Sequence, residues 1–198
     1  RIAVGTHNHL YIVENNALYD ITPLRDSTNA ATTTTEALDD SETEIDLLSV
    51  SGFKTAGVII IGSEIITYTG ISSLTLTGCT RGTNSTSAAA HDSGAAVTQV
   101  LIAPITTADE STVITITDSG HGAVVGDFVV FSGAAATGGI TAENLNRKAG
   151  YQIVTIPNAN TYTITSPTEA TSTVSAGGGN AVVINYLIGN AAGLGYQS

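Results

Sequence analysis

The sequence predicts an all-β protein: a β-hairpin followed by two small β-barrel or sandwich modules in series. Three observations predict it. Val, Ile, Thr and Tyr recur in short runs that alternate polar and apolar residues, the signature of half-buried strands. The 21 Gly interrupt those runs where turns are needed. Hydrophobic residues make up 42 % and charged residues 12 % of the 198 positions, which allows a core and does not fit a charged disordered tail.

Taken in order, residues 1–25 form the hairpin. Leu10–Val13 and Ala17–Ile21 are its strands, Glu14-Asn15-Asn16 its turn, and Pro23 ends it. Residues 26–41 are polar and low in complexity, with four Thr in succession, and are expected to be an extended linker. Residues 42–102 are the first module. Gly57–Ile61 and Glu64–Thr69 flank Gly62-Ser63, the signal of a hairpin with a type II′ turn. Leu74–Leu76 is a further strand, 82–94 a Gly/Ser/Ala loop, and Ala96–Ile102 a closing strand. Residues 103–188 are the second module. Thr112–Thr117 and Phe128–Phe131 are strands, and Thr141 caps a single helical turn over 141–146. Tyr151–Ile156 pairs with Thr161–Thr165, and Ala181–Ile188 is the last strand before a Gly-rich tail, 189–198.

Charge and cysteine usage narrow the function. The net charge is −11 with six basic residues, so no phosphate-binding patch is expected and nucleic acid is excluded as a direct partner. No apolar run reaches membrane-spanning length, and an acidic surface disfavours anionic membranes. Cys79 is the single cysteine, so there is no disulfide framework. The chain opens on Arg1 in what reads as mid-strand, which points to a processed product or a piece of something longer.

Candidate chemistry is sparse, and at each place a plainer reading is preferred. His7 and His9 share a strand face and could hold a metal, but no third ligand is near, and a polar face is the simpler reading. His91 with Asp92, and His121 before Gly122, are expected to fix turns. Cys79 with Arg81 and His91 has two parts of a nucleophile constellation and lacks the third; a small buried Cys is preferred. Asp39, Asp40, Glu42, Glu44 and Asp46 form an acidic cluster, with Glu42, Glu44 and Asp46 expected on one strand face. It lacks the spacing of a calcium loop and is best taken as solvated. Gly177-Gly178-Gly179 is not a phosphate loop, and Asn84-Ser85-Thr86 is a formal glycosylation sequon. The expectation is therefore no catalytic, cofactor-binding or metal-ligating residue, no cofactor, and no enzymatic activity.

Three motif sets carry resemblances. His121-Gly122 … Gly126-Asp127 … Leu145-Asn146 … Tyr162-Thr163-Ile164, over roughly residues 110–186, resembles the small β-barrel inserted in ubiquitin-activating enzymes, the first catalytic-cysteine half-domain. The same pattern resembles repeats in structural proteins of tailed bacteriophages. What it implies is the barrel, not the activating activity, because nothing here matches the adenylation domain. Gly62–Gly70, Leu76–Gly82 and Ala90-His91 resemble a second phage-associated β-domain. Gly5–Tyr11 and Leu18–Leu24 resemble a propeller-type hairpin of tail nozzle proteins, although the remaining blades are absent. Together they imply a virion structural protein of a tailed phage, in a tail nozzle or adaptor or a capsid appendage, partnered by its own copies and other virion subunits. The linker and the tail are its expected assembly segments. The alternative is a subunit of an extracellular self-assembling filament or adhesin, glycosylated at Asn84 or on the Thr run.

Overall fold

The computed structural model describes residues 2–4, 10–14, 17–20 and 30–187. In chain order the strands are β1 Ile2–Val4, β2 Leu10–Glu14, β3 Ala17–Asp20, β4 Ala31–Thr33, β5 Ile45–Asp46, β6 Gly57–Ile61, β7 Glu64–Tyr68, β8 Gly70–Ser72, β9 Thr75–Thr77 and β10 Ala96–Val100. Then come β11 Ile105–Thr107, β12 Val113–Thr117, β13 Phe128–Ser132, helix α1 Ala142–Leu145, β14 Tyr151–Gln152, β15 Thr155–Asn158, β16 Thr161–Thr165, β17 Val174–Gly177 and β18 Val183–Leu187. The all-β class stands. The strands make separate small sheets, ordered β1-β2-β3, β4-β10-β6-β7, β5-β9-β8, β15-β16-β12-β11-β17 and β14-β13-β18. None is closed into a barrel, so the modules are open sheets facing across a core.

The N-terminal hairpin pairs Tyr11 with Asp20 through to Glu14 with Ala17, and β1 adds a third strand with Ile2 opposite Ile12. Its turn, His7, His9, and residues 21–29 lie outside the described residues.

In the first module the sheets β4-β10-β6-β7 and β5-β9-β8 enclose Leu38, Ile45, Leu47, Ile59, Ile61, Ile66 and Leu76 with Tyr68 and Val97. The hairpin β6–β7 keeps the expected register, Ile61 opposite Glu64 and Gly57 opposite Tyr68. Gly62 alone in its turn has positive φ, as a type II′ turn requires. Strand β7 is buried on both faces at its start, because the 82–94 loop folds back over it. Thr83 N–H donates to Ile65 O, and Ile65 N–H donates to Thr86 Oγ1.

The expected linker needs correction. Ala31–Thr33 is a strand paired with β10, Thr34 is buried and bridges Leu47, and Leu38 is buried and bridges His91. The Thr run reads as linker by composition. It instead uses β-branched residues to close the sheet on the β5 side.

In the second module alternation and burial coincide. Strand β12 turns Ile114 and Ile116 inward, and β16 turns Tyr162 and Ile164 inward, in register Ile114–Ile164 and Ile116–Tyr162. Val129 and Phe131 of β13 face them from the other sheet, with Tyr151, Ile184 and Tyr186. The segment expected as one strand over 151–156 is two, because Tyr151-Gln152 pairs with β13 and Thr155–Asn158 with β16. Among the described residues no helix is long and apolar enough to cross a membrane.

Candidate functional site

Two buried polar nodes concentrate the ionisable chemistry of the described residues. One lies inside the first module and the other where the two modules meet.

The first node centres on Glu64, whose side chain is 1 % exposed. It opens β7 directly after the Gly62-Ser63 turn, so its position is fixed by the hairpin register. Arg81 meets it in a two-pronged pair, Nε to Oε1 at 2.8 Å and Nη2 to Oε2 at 2.8 Å. His91 Nε2 lies 2.7 Å from Oε2, and the Gly82 and Ala89 N–H groups donate to the two oxygens at 2.9 and 3.2 Å. Arg81 also donates to Asp39 O and Ala89 O, each at 2.6 Å. Gly82 must be glycine, since φ is +61° and a Cβ would stand 2.5 Å from Ala88 N. Burial by itself would raise the Glu64 pKa. The Arg81 and His91 hydrogen bonds, with the two backbone donors, outweigh it and hold the carboxyl at about 2. The node pins the 82–94 loop and residue 39 to the hairpin.

Arg81 and His91 therefore serve Glu64 and do not form a set with Cys79. The Cys79 thiol is buried, its Sγ 3.6 Å from Leu76 O, and burial pushes its pKa up to about 11, against a smaller opposing effect of Arg81. The acidic cluster also departs from expectation. Only Ile45-Asp46 is strand, so Glu42 and Glu44 join Asp46 on one side without the expected strand. They line an open depression with Glu36, Thr43 and Thr75. Asp39 instead folds its own turn, accepting from Ser41 N–H, Ser41 Oγ–H and Glu42 N–H, which lower its pKa. Among the described residues no group of three or more His, Cys, Asp or Glu is placed to hold a metal ion.

The second node is the joint. Asp118 directly follows β12 with its side chain 3 % exposed, and its Oδ2 accepts the Tyr186 hydroxyl at 2.7 Å. Lys54, from the first module, brings Nζ against Asp118 Oδ1 and donates to Ser119 O at 2.6 Å. Lys54 is itself held at both ends of its backbone. Its N–H donates to Gln99 Oε1 at 3.0 Å, and its carbonyl accepts from Tyr68 Oη at 2.7 Å. Burial raises the pKa of Tyr68 and, with Tyr162 and Asp118 alongside, of Tyr186, so both stay protonated donors. Beside the ion pair, β10 runs on into a backbone pair between Leu101 and Val182, at 2.8 and 3.1 Å. Nothing in the sequence pairs residue 54 with residue 118. The one available signal was a lone Lys between two strands of an acidic chain.

The residues that carry the second module's sequence pattern form its framework. His121 is buried, accepts Ala123 N–H on Nδ1 at 3.0 Å, faces Asn158 O with Nε2 at 3.3 Å, and meets Tyr162 edge-on at 5.2 Å. Asp127 accepts Val124 N–H at 2.9 Å. Leu145 is fully buried, and Asn146 clasps both backbone groups of Ala134, at 2.9 and 2.7 Å. Thr141 caps α1 by accepting from Asn144 N–H. Arg147 stacks over Tyr151, 4.1 Å from the ring centre. Gly178, within the Gly run, donates its N–H to Thr137 Oγ1 at 2.7 Å. Asn84 of the sequon is exposed, while the Thr86 hydroxyl is engaged, donating to Thr83 O at 2.7 Å.

No family model matches the sequence, and no curated protein matches it. Among solved structures, phage phi92 endosialidase is similar with a TM-score of 0.36 and 14 % identity, over 83 % of this chain and 29 % of that one. The chain thus spans less than a third of that protein's length. The comparisons give no support to the resemblance to ubiquitin-activating enzymes. The expectation of a non-enzymatic chain is corrected: the similar protein is by its name an enzyme, and that expectation is withdrawn.

Proposed function

We propose that this chain is a virion structural component of a tailed bacteriophage, a tail nozzle or adaptor piece or a capsid appendage. It works by assembly with copies of itself and with other virion subunits. The observation that carries the reading is the joint. Successive β-modules in one chain move against each other by default, unless their interface is strong. Here the modules are held by the Leu101–Val182 backbone pair, by Lys54 on Asp118 and Ser119, and by the Asn180 side chain reaching Asn84 O. A stiff two-module spacer suits a particle part that transmits position and load. The motif residues support the same reading, since each serves scaffold geometry within the second module. The terminal strand β17 of the five-stranded sheet offers backbone for strand addition by a neighbour. The acidic balance points to protein neighbours rather than nucleic acid.

Electron microscopy of the native particle, with this chain located in the density, tests the proposal. Fixed symmetry on a tail or capsid supports it. A naked helical filament built from this chain alone, with sugar density at Asn84, replaces it with the extracellular-filament reading.

A further inference from the structure

We propose that Lys54 and Asp118 condense spontaneously into an isopeptide bond, which joins the two β-modules covalently. The inference is independent of the virion reading and rests on how the joint is built. A primary amine lies directly against one oxygen of a buried carboxyl group, and each partner is fixed by other bonds. Lys54 is anchored through its backbone to Gln99 and Tyr68, and its Nζ is aimed by Ser119 O. Asp118 is held through its other oxygen by Tyr186 Oη–H at 2.7 Å. Groups oriented in this way react with effective molarities of about 10⁵ M or more, which offsets the cost of amide formation in water.

The surroundings favour the neutral product over the ion pair. Val100, Leu101, Val182 and Ile184 line a cavity beside the pair, with Gln99 as the polar neighbour; the Asp118 carboxyl is buried and the Lys54 side chain is 27 % exposed. Charges taken out of water carry a desolvation penalty that an amide does not. The step balances within the contact. One proton passes from Nζ to Oδ1, giving amine and acid. The Nζ lone pair forms the bond to Cγ, and Oδ2 takes the charge of the adduct under the Tyr186 hydrogen bond. The Cγ–Oδ1 bond then breaks, and Oδ1 leaves as water with a second Nζ proton. Nothing is oxidised or reduced. The product keeps the existing hydrogen bonds, with the amide N–H on Ser119 O and the amide carbonyl under Tyr186. A cavity of about 20 Å³ beside the pair is large enough for the one water released.

The test is the intact mass of the full chain, followed by peptide mapping. The wild-type chain is expected to weigh one water less than its sequence, and digestion is expected to yield one branched peptide containing residues 54 and 118. Lys54→Arg keeps the charge, has no condensing amine, and is expected at full mass. Asp118→Asn is expected to lose one ammonia in place of water. A wild-type chain at full mass with two linear peptides overturns the proposal. So does a water deficit that persists in Lys54→Arg or maps to residues 118–119 alone, because that is a succinimide.

Discussion

The two modules place a buried carboxylate at the same point of a shared sequence echo and neutralise it differently. In Ile61-Gly62-Ser63-Glu64 and Val125-Gly126-Asp127 a positive-φ Gly precedes an acid at the start of a strand, Glu64 as the first residue of β7 and Asp127 immediately before β13. The first module balances Glu64 with a guanidinium, an imidazole and two N–H groups drawn from its own loop. The second satisfies Asp127 through the Val124 N–H of its own turn, and depends on a borrowed Lys54 for its other buried acid, Asp118. The first module is thus electrostatically complete within residues 39–91, whereas the second is completed only at the joint. Removing a charge should therefore act locally in one and across the whole chain in the other.

The largest expected effect is on the self-contained node. Arg81→Ala leaves Glu64 buried with its main counter-charge gone, which costs about 3–5 kcal/mol. The 82–94 loop, tethered through Arg81 to Asp39 O and Ala89 O, should become accessible to protease in the same variant. Urea unfolding combined with limited proteolysis checks both. A variant as stable as the parent would show that the backbone donors suffice and would erase the contrast between the modules.

Acid reaches the same node by another route. The folded-state pKa of Glu64 lies below its ordinary value of 4.5, at about 2. Its contribution is therefore complete above pH 4.5 and is lost as pH falls towards 2; the difference amounts to about 3 kcal/mol. Glu64→Gln should be less stable than the parent at pH 7, and the gap should close progressively below pH 4.5. Denaturation midpoints of the two proteins across that range decide it. A constant gap would mean that shape and not charge holds the loop.

How much of this was legible follows from the physics of each element. Ile114–Thr117 was readable because alternation is local and a half-buried face enforces it, and Gly57–Ile61 because an apolar run that stops at Gly62-Ser63 marks a hairpin. The Thr run at 32–35 was misread because composition alone cannot say whether another strand lies beside it, and β10 does. Strands β8, β11 and β17, three or four residues each, carry too few side chains to show a period. Arg81 and His91 were visible as a pair, but they were matched to the nearby Cys79. Their true partner, Glu64, sits 17 and 27 positions away and is joined to them only by the fold. The Lys54–Asp118 pair spans 64 positions and two cores, a distance at which sequence spacing carries no signal.

The borrowed charge gives a smaller but more far-reaching effect. Lys54→Met keeps the length of the side chain, removes the charge together with the bond proposed to Asp118, and leaves Asp118 with Tyr186 alone, the lost polar partner costing about 2 kcal/mol. The informative quantity is cooperativity. If the joint couples the modules, the parent unfolds in one transition and the variant in two, with the second module leaving first. Differential scanning calorimetry separates these outcomes. Two transitions in the parent itself would mean that the joint does not couple the cores.

The smallest effect concerns a buried side-chain hydroxyl that the described residues of the second core leave unsatisfied. The Tyr162 hydroxyl is buried without a hydrogen bond of good geometry, close to Tyr186 and Asp118, and burial raises its pKa. Tyr162 also packs edge-on against Tyr186, with ring centres 5.7 Å apart, and against His121, so its ring is needed where it is. Tyr162→Phe keeps the ring and deletes the orphaned hydroxyl, whose desolvation costs about 1 kcal/mol or more. The variant should be as stable as the parent or up to about 1 kcal/mol more stable, by urea midpoint. A loss of more than about 1 kcal/mol would show that the hydroxyl supports Tyr186 and, through it, Asp118. The polar node of the joint would then extend into the second core, and the two modules would differ in the reach of their buried charge more than in its origin.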